Sequence, residues 1–151
     1  MTRREIAESK FLEGYNCTQA IAIAFADVAS LDEEVLLKAS SSFGGGMGRL
    51  REVCGAVSGM FLIEGLVEGY TSPTDRQAKT DHYARIQKLA KEFCDKNGSI
   101  VCKELLGVKG QIVSAVPDER TPQYYKTRPC ARLIGDAAEI LENHLKSQNL
   151  L

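Results

Sequence analysis

Five cysteines, Cys17, Cys54, Cys94, Cys102 and Cys130, are the side chains of this 151-residue chain best suited to chemistry. No two are spaced as the local C-x-x-C of zinc ribbons or ferredoxins, so their use depends on where helices place them. Cys17 follows Asn16, a candidate N-cap, and Cys54 opens the helix after the run Gly44-Gly45-Gly46-Met47-Gly48. Cys102 comes three residues after Ser99, another candidate cap, and Cys130 follows Pro129. All four are expected in first helical turns, where unpaired N–H groups and the positive end of the helix dipole favour a thiolate, the nucleophilic and metal-ligating form. The dipole supplies only about 1 kcal/mol, less than one pKa unit. Four converging thiols would therefore need cations such as Arg49, Arg51, Lys103, Arg128 or Arg132, a metal that deprotonates its ligands, or oxidation in pairs. Cys94 differs: it falls near the end of a long helix on an apolar stripe with Phe93, and reads as a small buried hydrophobe.

Other chemistry has little support. His82 occupies an exposed-looking helix position and His144 a helix C-terminus, and neither joins a Ser-His-Asp or Cys-His arrangement. Glu64, in an apolar helix, needs a partner if it is buried, and an arginine would serve. The glycine run lacks the Gly-Lys-Ser/Thr ending of a P-loop and follows a helix, so no nucleotide is expected. Gly44, Gly45, Gly46 and Gly55 instead suit close backbone approach, to a facing helix or to a group bound at Cys54. Gly55 and Gly59 share one helix face, and two glycines in one turn, each costing about 1 kcal/mol, imply a backbone packed against them.

The elements that must position these residues are helical. Apolar residues recur at helical spacing and period-two alternation is scarce, which predicts an all-α, multi-helix single domain spanning 1–151 without a sheet. Helices are expected near 3–13, 17–29, 32–42, 52–69, 74–97, 99–106 and 130–147, with 52–69 as a buried core helix. Asp75 and the pair Asn97-Gly98 punctuate the long fifth helix. Its stripe is Tyr83, Ile86, Leu89, Ala90, Phe93 and Cys94. Between Gly107 and Arg128 lies an irregular stretch, long enough to be either a functional cover or a segment ordered by its own side chains. A chain of this length can bury a core without staples. Its 44% apolar and 26% charged content is globular, and a net charge of -1 argues against nucleic acid or an anionic membrane as partner. The apolar stretch 53–67 is shorter than a bilayer needs and contains Glu64. The first residues read as neither a Sec nor a twin-arginine signal, so a cytoplasmic location with reduced thiols is expected.

The segments Gly14-Tyr15-Asn16-Cys17, Phe43-Gly44-Gly45-Gly46-Met47-Gly48, Cys54-Gly55-Ala56-Val57-Ser58-Gly59 and Cys102-Lys103-Glu104-Leu105-Leu106-Gly107, followed by Cys130, resemble the C_GCAxxG_C_C family of redox-active proteins. The resemblance covers nearly the whole chain. It implies a redox role for Cys17, Cys54, Cys102 and Cys130 and leaves Cys94 outside the pattern. A more distant likeness, to the non-haem part of split-Soret cytochromes, implies an iron–sulfur cluster on four comparable cysteines. No C-x-x-C-H occurs, so haem is not expected. The family also implies association with transporters, alongside a redox partner, and leaves room for a homodimer. Three readings stay open: a cysteine-ligated cluster or metal, a thiol–disulfide protein using two of the four, and a non-catalytic helical interaction module.

Overall fold

The computed structural model describes residues 1–108 and 114–151, so 109–113 of the long irregular stretch lie outside the described residues. The order is α1 (Arg3–Leu12), α2 (Cys17–Ala24), α3 (Ala26–Ala29), α4 (Glu33–Ser41), the single turn α5 (Gly44–Met47), α6 (Gly55–Glu68), α7 (Arg76–Asn97), α8 (Cys102–Leu106), α9 (Pro122–Thr127) and α10 (Cys130–Ser147). The all-α expectation holds among the described residues, where the nearest approach to a sheet is one antiparallel bridge between Val53 and Val101.

Local chemistry explains most boundaries. Asn16 caps α2 by accepting from the Gln19 N–H at 2.9 Å, while the Gln19 side chain accepts from the Asn16 N–H. Asp75 caps α7 through the Ala78 N–H, and Gly98 ends that helix in the left-handed conformation at φ 88°. Four expectations needed correction. The helix placed at 17–29 breaks at Phe25, whose φ/ψ of -121°/19° separates α2 from α3. The cap of α8 is Val101 and not Ser99, whose hydroxyl instead accepts from the Val101 N–H. The start of the core helix moves to Gly55, because 51–54 pair with 100–103. Within the stretch read as irregular, Thr121 and Pro122 start the short helix α9.

Helix α2 lies at the centre, packed on α1, α4, α6 and α10, with α7 against α6 and α10 outside it. One hydrophobic core joins Ile21 and Phe25 of the α2 segment to Met60 and Ile63 of α6, Leu89 and Phe93 of α7, and Ile134, Leu141 and Leu145 of α10, all fully buried. Each such side chain contributes roughly 1.5–3 kcal/mol on burial. The α7 stripe is narrower than expected: Leu89 and Phe93 are buried, whereas Tyr83 is half exposed. His82, read as exposed, is buried, with its ring edge-on to Tyr70.

Candidate functional site

The four first-turn cysteines converge. Cys17, Cys102 and Cys130 are the first residues of α2, α8 and α10, and Cys54 immediately precedes α6. All four line one cavity of about 440 Å³. Cys54 and Cys102 are buried and Cys17 and Cys130 half-buried. Cys94, half-buried at the far end of α7, is not among the residues lining the cavity.

Backbone contacts fix this convergence. The Cys54 N–H donates to the Ile100 carbonyl at 2.7 Å, and the N–H groups of Cys102 and Lys103 donate to the carbonyls of Glu52 and Arg51 at 2.5 and 3.1 Å. These bonds hold the start of α6 beside the start of α8. Glycine sets the approach of α2: a Cβ on Gly55 would stand 2.2 Å from Cys17 Sγ, and the Thr18 hydroxyl donates to the Gly55 carbonyl at 2.8 Å. On the same face, a Cβ on Gly59 would meet Ile21 at 2.8 Å, so the close packing expected of that pair is against α2.

The glycine run has a second role. Residues 45–49 all have positive φ, between 61° and 72°, a left-handed turn that brings Arg51 and Glu52 back to donate to the carbonyls of Gly45 and Gly46. For Met47 and Arg49 this conformation costs roughly 1–2 kcal/mol each, whereas glycine adopts it freely. A Cβ on Gly46 would also stand 2.6 Å from the Cys102 Cβ. The turn carries Arg51 inward, where it is 7% exposed and its Nη1 donates to Cys102 Sγ at 3.8 Å.

The positive side chains around the cavity are only partly those anticipated. Arg49 and Arg51 line it, Arg128 stands next to it through Asp118, and Lys103 and Arg132 are not among its lining residues. Arg120, Asp118 and Tyr124 were not anticipated, because they come from the long stretch that the helical pattern left unassigned. Ala115, Pro117, Asp118, Arg120 and Tyr124 close one side of the cavity. Arg120 lies 4.1 Å over the Phe11 ring and donates to the carbonyls of Phe11 and Tyr15 at 2.8 and 3.1 Å. Asp118 ties this cover down, with Arg128 at 2.7 Å, Arg49 at 3.3 Å and Arg51 at 3.6 Å. Burial disfavours its charge, but the three arginines hold its carboxyl below the ordinary range.

Burial reverses the thiolate preference expected from the helix dipoles. It pushes the Cys54 thiol far up, with the charges of Cys17 and Cys102 adding to the effect and the Val57 and Ala56 amides opposing it. Cys130 is pushed up to about 11 by burial and by Cys17 and Cys102, against Arg128 and Arg51. Cys17 is raised by burial, partly offset by the Gly45 amide. Removal from water costs these thiolates more than one helix terminus returns. The described residues thus form a positively bordered pocket in which burial disfavours the thiolates of Cys17, Cys54 and Cys130.

Glu64 is completely buried, and its expected arginine partner is Arg85, whose Nε lies 3.3 Å from Oε1. His144, assigned only a C-terminal charge role, is also buried, with Nε2 at 2.9 Å from Glu68 Oε2 and 3.3 Å from Glu64 Oε2. In the sequence Glu64 alone stood out; its spacing of four from Glu68 on one helix is the signal that could have found this cluster. Burial and Glu68 push the Glu64 carboxyl up to about 8, against the pull of Arg85.

Among the described residues, Glu64, Glu68 and His144 form the one group of three or more ligating side chains whose donor atoms all lie within 4.8 Å of one another. The four sulfurs are therefore spread more widely. A single tetrahedral zinc, with bonds of about 2.3 Å, would draw its sulfurs to roughly 3.8 Å apart.

The family model described as "Putative redox-active protein (C_GCAxxG_C_C)" matches residues 15–144. No curated protein and no solved structure matches the chain.

Proposed function

The chain belongs to the C_GCAxxG_C_C family of redox-active proteins, and from that premise we propose that Cys17, Cys54, Cys102 and Cys130 ligate an iron–sulfur cluster used for electron transfer. The observation that carries this reading is the meeting of four helix starts, each with its cysteine, at one cavity. The donor set fits. Four thiols are available at one cavity, and no three of their sulfurs lie within 4.8 Å of one another, which suits a group whose irons each take a separate ligand. When bound, such a cluster supplies reversible electron exchange at a potential set by charge, hydrogen bonds to sulfur and solvent exposure.

The chain's own residues act on those same quantities. Arg51 donates to Cys102 Sγ, and with Arg49 and Arg120 it opposes the negative charge of ligating thiolates. Phe11, Leu105, Tyr124, Leu133 and Ile134 line the cavity with apolar surface that limits water. Gly55 keeps Cys17 close to α6, since any larger residue would displace its sulfur. The buried thiols must lose their protons to ligate, so loading releases protons and weakens as pH falls.

Anaerobic purification of the full chain with iron and sulfide analysis tests the reading. It predicts bound iron and sulfide, lost in Cys54→Ser and retained in Cys94→Ser. Retention of the full iron content by Cys54→Ser would overturn it.

A thiol–disulfide reading draws on the same convergence, because Cys17 lines one cavity together with Cys54, Cys102 and Cys130. Here Cys17 and one neighbour would form a disulfide, giving two electrons and two protons to a partner disulfide. It predicts an iron-free protein with one pair of thiols that oxidises reversibly.

A further inference from the structure

At the other end of α6 a second group of side chains has unused donor capacity. Glu64 is fully buried, and neither of its carboxylate oxygens has a hydrogen-bond partner among the described residues. Glu68 is the last residue of α6, one turn on, and its side chain is 15% exposed. His144 comes from the last turn of α10, and its Nε2 points between the two carboxylates. One oxygen from each glutamate and one imidazole nitrogen lie within 4.8 Å of one another.

With both carboxylates ionised, as metal ligation requires, the charges around this group do not balance. Two carboxylates face one guanidinium, Arg85, whose Nη2 already donates to the Glu68 carbonyl at 2.9 Å and whose Nε stands 3.3 Å from Glu64 without a hydrogen-bonded partner. Cys54 and Cys130 begin α6 and α10 at the same cavity, while Glu64, Glu68 and His144 meet farther along, so the two helices run in the same direction. Their C-terminal ends therefore add negative partial charge at the carboxylates. A buried carboxylate at the negative ends of two dipoles is poorly placed unless a cation joins it.

We propose that Glu64, Glu68 and His144 form a binding site for one divalent first-row transition-metal ion, separate from the cysteines and held by two carboxylate oxygens and an imidazole nitrogen. Mixed oxygen and nitrogen donors suit manganese, iron(II) or zinc, and the oxygens distinguish the site from the thiol pocket, which prefers softer ions. Arg85 stays in place as the neighbour that orients Glu64.

Mn²⁺ is the probe, because it favours carboxylate over thiolate. Titration of the full chain, followed by the loss of the free-ion electron paramagnetic resonance signal, is expected to show one Mn²⁺ per chain. Glu64→Gln and His144→Gln should each weaken binding at least about tenfold, the scale seen even for changes around metal ligands. Cys54→Ser should leave it unchanged. No binding by the wild-type chain, or equal binding by Glu64→Gln, would overturn the proposal. Should the variants fail to fold, the wild type still decides: saturating Mn²⁺ should raise its Tm by several degrees, reversibly with chelator, and an unchanged Tm would overturn the proposal.

Discussion

Helix α6 has Cys54 just before its first residue and Glu64 and Glu68 in its second half, roughly 15–20 Å further on at 1.5 Å per residue. The two regions solve the burial of ionisable groups differently. At the cysteine end burial favours the neutral thiol at Cys17, Cys54 and Cys130, and the positive charge of Arg49, Arg51 and Arg120 exceeds the one lining carboxylate, Asp118. At the glutamate end the carboxylates outnumber the one arginine, and burial keeps a proton on Glu64. The first region is therefore built to receive negative charge and the second to receive positive charge. The family description as redox-active concerns the first; the second is where the stability of the fold should respond most to charge.

Deleting an arginine at each region should separate the two. Arg85→Ala should cost about 2 kcal/mol at neutral pH by removing the partner of buried carboxylates, and more at pH 9, where Glu64 is ionised. Arg128→Ala, which removes one of the three arginines at the partly exposed Asp118, should cost less than about 1 kcal/mol. Denaturant unfolding at both pH values measures this. Equal costs would erase the contrast.

Glycine-to-alanine changes on α6 separate the regions next. Gly55→Ala places a methyl group 2.2 Å from Cys17 Sγ, so it should destabilise by about 1–3 kcal/mol and reduce bound iron. Gly65→Ala, with open space around its Cβ, should stabilise by up to about 1 kcal/mol and leave iron unchanged. Melting curves with iron analysis check both.

A further contrast is the pH dependence of the glutamate region in chelator. Glu64, facing Glu68 on its own helix, Arg85 from α7 and His144 from α10, has a carboxyl pushed up to about 8. Between the ordinary carboxyl range and pH 8 the folded chain binds more protons than the unfolded one, so stability should fall as pH rises across this window. Glu68, held below its ordinary value by Glu64, His144 and Arg85 although burial opposes this, adds stability that is lost only on acidification below that window. Glu64→Gln should flatten the slope between pH 5 and 8 in a series of unfolding curves.

Much of the cysteine region was legible in the sequence, because helix starts are local. Asn16, the glycine run and Pro129 mark where three of the helices begin, whereas Ser99, the mark used for Cys102, is not the cap of α8; together these marks set four cysteines apart from Cys94. Their convergence was not local. It depends on the pairing of 51–54 with 100–103 and on the contact between Gly55 and Cys17, which join residues far apart in the chain. The sign of the thiol shifts was misjudged for the same reason: the dipole is read from a helix start, whereas desolvation depends on what packs over it. A functional cover was one of two readings of the stretch between Gly107 and Arg128, but its contacts were not legible, because Arg120 and Asp118 are ordered by Phe11, Tyr15, Arg49 and Arg128 and not by any period of their own. His144 was missed because its partners Glu64 and Glu68 sit on another helix, and only Glu64 stood out in the sequence, as a carboxylate in an apolar helix.

The most direct test of the central claim is mass-spectrometric counting of thiols that alkylate under native conditions in the anaerobically purified chain. Cluster ligation by the four predicts that Cys94 alone is labelled, with Cys17, Cys54, Cys102 and Cys130 protected until acid and chelator strip the iron. Prompt labelling of all five, in a colourless and iron-free protein, would contradict it.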